Sequence, residues 1–81
     1  MKVAVKLFAA GRDLAGSGEV VVELSPGADV GELRQVLAAQ LPQLAPLAAR
    51  SLVAVNAEYA QDSTLVSEGD ELALIPPVSG G

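Results

Sequence analysis

The sequence contains no cysteine, no histidine and no tryptophan, and its only aromatic residues are Phe8 and Tyr59. Each absence excludes a class of chemistry. Without Cys there is no disulfide framework, no thiolate nucleophile and no zinc thiolate site. Without His, the usual general base and the commonest metal ligand are both missing. With so few aromatics, the core has to be built from Val, Leu, Ile and Ala. Basic side chains are scarce as well, five against ten acidic ones, for a formal net charge of −5. Such a chain repels phosphate backbones and anionic lipid, so neither nucleic acid nor a membrane is expected as a partner, and a basic protein surface fits better. Long apolar runs are also lacking. The longest uncharged stretch, Gln35 to Ala49, is too short for a bilayer and is interrupted by Pro42 and Pro46. The apolar start Val3-Ala4-Val5 is broken by Lys6 before it reaches the length of a signal-peptide core. A cytoplasmic protein is the expectation.

What is present is 81 residues, 51% of them apolar, enough for one small domain that buries about 60–65% of its unfolded surface. Residues 2–8 alternate Lys2, Ala4, Lys6 against Val3, Val5, Leu7, the period of a strand with one wet face. Residues 9–18 hold three glycines and no clean period, and read as a long connection. Residues 19–24 form a second strand with Val20, Val22 and Leu24 inward, paired to the first as an antiparallel hairpin. Asp29 then stands as a helix N-cap with Glu32 at capping-box spacing. Val30, Leu33, Val36, Leu37 and Leu41 share one helical face, and Pro42 ends the helix. Residues 43–50 read as a loop or a short turn of helix, and 51–55 as a nearly all-apolar strand, hence central in the sheet. The last strand spans 71–75. A single amphipathic helix is buried only by laying it across one face of a sheet, so the fold class is α+β: a small mixed sheet packed on one main helix, residues 1–75.

Residues 76–81 form an extended tail. Pro76 and Pro77 lack the N–H for strand pairing and favour a stiff, extended chain, and the six residues through Val78, Ser79, Gly80 and Gly81 reach about 20 Å. Two terminal glycines make the last segment thin and free in φ and ψ, so that the carboxylate of Gly81 can enter a narrow channel and be activated as an acyl phosphate. Other candidates are weaker. Glu68, Asp70 and Glu71 read as a solvated turn entering a strand. Gly11, Gly16 and Gly18 lack the Lys and Ser/Thr of a phosphate loop and read as turn glycines. Lys2 and Lys6 have no partner that would activate them. Phe8 falls on the wet face of its strand, where it either closes an edge of the core or stands as an exposed anchor for a protein contact.

These residues resemble a known family. Leu7-Phe8-Ala9 with Arg12, Ala54-Val55-Asn56, Glu68-Gly69-Asp70-Glu71 and above all Pro76-Pro77-Val78-Ser79-Gly80-Gly81 are similar to the small subunit of molybdopterin synthase, the MoaD branch of the ubiquitin-like sulfur carriers. The resemblance implies a ubiquitin-like β-grasp fold. It also implies a carrier with no catalysis of its own and no permanently bound cofactor. A MoeB-like enzyme spends ATP to form a transient AMP ester at Gly81, and a persulfide protein supplies the sulfur of a thiocarboxylate. The tail then enters the active site of a MoaE-like large subunit, in a heterotetramer, and donates sulfur to a cyclic pyranopterin monophosphate. Phe8, Tyr59 and Ile75 would form the docking surface, with the tail beside them and Arg12 pairing with an acidic group of a partner. Relatives often carry an aliphatic residue where Tyr59 stands and an aromatic where Ile75 stands. A ThiS-like carrier for thiazole synthesis and a ubiquitin-like protein modifier are the alternatives.

Overall fold

The computed structural model describes residues 1–77. Five strands form one mixed sheet: β1 (Lys2–Leu7), β2 (Glu19–Glu23), β3 (Leu52–Val55), β4 (Glu58–Ala60) and β5 (Leu72–Ile75), in the spatial order β2-β1-β5-β3-β4. β1 and β5 run parallel and every other pairing is antiparallel. The alternation in β1 does what its period implies: Val3, Val5 and Leu7 are buried and Lys2 and Lys6 are exposed. The main helix, α2 (Val30–Gln40), crosses the buried face through Val30, Leu33 and Leu37, all 0% exposed. Leu44, Leu47 and Val66 complete the core, and each fully buried Leu or Val contributes about 1.5–3 kcal/mol relative to an exposed one. This is the β-grasp arrangement. No helix among the described residues is long and apolar enough to cross a membrane.

The cap at Asp29 forms, with its Oδ1 accepting from the Glu32 N–H at 2.9 Å. The reciprocal half of the box does not. The Glu32 carboxylate instead accepts from the Ser25 N–H at 2.9 Å, which fastens the incoming loop rather than the cap residue.

Two expectations are corrected, and residues 43–50, read as a loop or a short turn of helix, take the helical alternative. Residues 9–15 are not a plain connection but a helix, α1 (Ala9–Ala15), closed by Gly16 in the left-handed region with its N–H on the Arg12 carbonyl. Its amphipathic signal is hidden because the buried residue of α1 is Gly11, where an added Cβ would lie 3.4 Å from Leu47 Cδ2. An added methyl there would touch the Leu47 side chain at the near edge of ordinary contact. Residues 45–50, despite Pro46, form α3 (Ala45–Arg50), because proline in a first turn loses no helical hydrogen bond. Finally, the middle strand is β5 rather than β3, and the apolar run of β3 is not covered on both faces: Leu52 is 52% exposed. The helices cover only one side of the sheet.

Candidate functional site

The uncovered face follows from the pairing register. Lys6 lies opposite Ala73 of β5, Ala73 opposite Ala54 of β3, and Ala54 opposite Tyr59 of β4. Two alanines thus lie side by side at the centre of this face, flanked by longer side chains. The result is an open depression of about 300 Å³ floored by Ala54 and Ala73. Phe8 and Ile75 stand along one side of it, because β1 and β5 are parallel and the Leu7–Leu74 pair brings the next residue of each strand to the same end of the sheet. Lys6 and Tyr59 flank the two alanines on either side in the same register row, and Ala57 and Glu71 complete the lining.

Phe8 is 47% exposed and Tyr59 71%, values that set both outside the core. Phe8, Tyr59 and Ile75, far apart in sequence, line one depression, and Pro76 and Pro77 follow directly from the β5 end that carries Ile75. Arg12 is elsewhere. It is exposed on α1, beside Gly18, and does not line the depression. Val78, Ser79, Gly80 and Gly81 lie outside the described residues.

Several residues of this surface are not singled out by the sequence. Lys6 and Glu71 read as ordinary solvated positions, yet both border an apolar floor. Among the described residues the ion pair within 4.0 Å is Arg34–Asp62 at 2.8 Å, so there Lys6 and Glu71 are engaged by no opposite charge. Arg34 is also a clamp, its Nη1 donating to the carbonyls of Ala48 and Ser51 at 2.5 and 2.6 Å, which fastens α2 to the end of α3. Leu52, paired with Ile75, extends the exposed apolar surface along β3.

The acidic turn before β5 holds the site together. Asp70 accepts from the Ser67 N–H at 2.8 Å and from the Asn56 amide at 3.0 Å. Asn56 in turn accepts from the Glu71 N–H at 2.9 Å, and its own N–H donates to the Glu71 carbonyl at 2.8 Å. The Ser67 backbone bond first, and the Asn56 amide second, hold the Asp70 carboxyl below the ordinary carboxylate range. A depressed folded-state value means that this contribution to stability is complete above the unfolded-chain value and is lost as pH falls through the folded one. In melting curves taken below about pH 4, the parent is expected to lose more thermal stability than Asp70→Asn. Equal losses would remove Asp70 from this role.

The ThiS family model matches residues 5–81. A molybdopterin synthase sulfur carrier subunit of Chlamydomonas reinhardtii is 39% identical over 83 aligned residues, covering 100% of both chains. Among solved structures, SAMP1 of Haloferax volcanii superposes with a TM-score of 0.87 at 35% identity, again over 100% of both chains. Subunit 1 and 2 of the molybdopterin-converting factor of Helicobacter pylori form a complex, and the matched chain of that complex superposes with a TM-score of 0.70 at 26% identity over the full length of each. With a family match over nearly all of its length and full-length relatives above the level at which kinship is secure, the chain belongs to the ThiS/MoaD family of ubiquitin-like sulfur carriers.

Proposed function

We propose that this chain is the sulfur-carrying small subunit of a molybdopterin synthase, acting in the cytoplasm, and that the carboxylate of Gly81 is the group that carries the sulfur. The observation that carries this reading is positional. The middle strand leaves the sheet beside the apolar depression of Phe8, Tyr59 and Ile75, so one partner can grip the depression while it receives the tail. The family match extends through Gly81, and a full-length relative has the same role by name.

The chemistry asks little of the carrier itself. In a MoeB-like activating enzyme, a Gly81 carboxylate oxygen attacks the α-phosphorus of ATP and pyrophosphate leaves. The acyl adenylate is then an electrophile with AMP as leaving group. A persulfide sulfur attacks the acyl carbon and expels AMP, forming an acyl disulfide. A thiol cleaves its S–S bond, becoming oxidised to a disulfide and releasing the thiocarboxylate. In the active site of a MoaE-like large subunit that sulfur attacks an oxygen-bearing carbon of the cyclic pyranopterin. The C–O bond there breaks, and its oxygen leaves with the opened phosphate ester or as water. A further water then hydrolyses the acyl–sulfur bond, leaving sulfur on the pterin and the carboxylate on Gly81. A dithiolene needs two such deliveries. Base, metal and thiol can all come from the partners, which accounts for a carrier with neither Cys nor His.

Intact-mass measurement after incubation with activating enzyme, ATP and a persulfide donor is expected to show exchange of one oxygen for sulfur at Gly81. No exchange would overturn the carrier reading. Addition of the large subunit and the pterin precursor is expected to yield the dithiolene, and failure at that step alone points to thiazole synthesis. A second reading, a protein modifier, is favoured by the likeness to SAMP1, a small archaeal modifier protein. It requires an isopeptide bond between Gly81 and a target lysine, which peptide mapping detects.

A further inference from the structure

The loop joining β3 to β4 has two residues, Asn56 and Ala57, between the paired Val55 and Glu58. Both have positive φ, 51° and 69°, the signature of a type I′ hairpin turn. Asn tolerates that region, but the second position of such a turn is ordinarily glycine, and an alanine there crowds its Cβ against the backbone. The surroundings leave Ala57 no alternative. Asn56 is held through both its side chain and its backbone to Asp70 and Glu71, and the strand pairing resumes at Glu58. Strain of this kind persists where the neighbouring structure over-determines it, and it gathers at sites of function. Ala57 is one of the residues lining the depression beside Phe8 and Tyr59.

We infer that Ala57 is a specificity-determining contact of the docking surface, its methyl group completing the apolar wall against which the large subunit packs an apolar side chain. The inference rests on the reading of the depression as the large-subunit docking site. Within that reading it explains why a residue that weakens the turn stands there. The methyl serves the complex at the expense of the free carrier.

The test is a pair of substitutions with opposite effects on stability and binding. Ala57→Gly is expected to raise the melting temperature of the free protein by about 4 °C, because it relieves the left-handed strain, net of the greater freedom glycine has when unfolded. The same variant is expected to bind the purified cognate large subunit about fourfold more weakly, the effect of one lost apolar carbon. Ala57→Asn keeps a residue suited to positive φ but places an amide against the apolar wall, and is expected to weaken binding at least about tenfold with the fold intact. Phe8→Ala is measured alongside. If Phe8→Ala weakens binding while both Ala57 variants bind as the parent does, the inference about Ala57 fails and the docking site stands. Should Phe8→Ala bind unchanged as well, the docking site itself is misplaced and the inference falls with it. A melting temperature that does not rise in Ala57→Gly removes the strain and overturns the argument at its first step.

Discussion

Removal of Gly80 and Gly81 is expected to reduce sulfur loading to the uncatalysed background while leaving the melting temperature of the domain unchanged. The shortened chain still ends in a carboxylate, that of Ser79, so the reactive group itself is not lost. Its reach is. Two residues of extended chain span about 7 Å, and a misplacement of only about 1 Å from the productive geometry can cost about 100-fold in rate. Ser79 also brings a side chain to a position where the carrier reading needs the thinnest possible segment. A fall of at least about 10⁴-fold in loading is therefore expected. Stability has no reason to follow, since the core is assembled from Val3 through Leu74 and changes outside such a core usually alter stability by less than about 0.5 kcal/mol. Loading rates and melting curves on the same preparation check both halves. A truncated chain that takes up sulfur at the parent's rate would refute Gly81 as the carrier group.

Phe8→Ala is expected to weaken binding to the large subunit by about 30-fold or more, equivalent to about 2 kcal/mol, the scale of an aromatic anchor at the centre of an interface. Its expected effect on folding is much smaller. A core phenylalanine replaced by alanine costs about 3–5 kcal/mol, but Phe8 is 47% exposed, and the strand that presents it is secured by Val5 and Leu7. A loss below about 1 kcal/mol in chemical denaturation is the expected result. Titration calorimetry against the large subunit, paired with urea melts, separates the two quantities. Comparable losses in both would return Phe8 to the core and leave the depression without its anchor.

Both expectations depend on features that differ in how far they can be read without coordinates. Residues 76–81 are read from residue type alone: Pro76 and Pro77 carry no N–H for strand pairing, and Gly80 and Gly81 carry no side chain. The strand character of β1 and the cap at Asp29 are equally local, because alternation and capping involve residues a few positions apart. Helix α1 escapes such a reading for a physical reason. Its one buried residue is Gly11, with Ala15 packed beside the core, and an absent side chain next to a single methyl leaves no hydrophobic period to detect. The turn at Asn56 and Ala57 falls between these cases. An asparagine at position 56 suits a turn by residue type, but the positive φ of Ala57 is visible only once the strands on either side are paired.

By itself, then, the sequence determined what this protein does not contain, no thiol and no imidazole, and what it does contain, an excess of acidic side chains and a Pro76-Pro77 pair followed by Gly80-Gly81. It also determined the alternation that leaves one face of β1 wet. What only the tertiary structure decided is the site. Phe8, Tyr59 and Ile75 meet because the first and last strands lie parallel at the middle of the sheet and β3 carries β4 alongside them, while two alanines in register leave a hollow between. Strand order is set by the burial of Val5, Leu33, Leu37 and Leu74 in one shared core, an interaction among residues distant along the chain, and no local pattern encodes it.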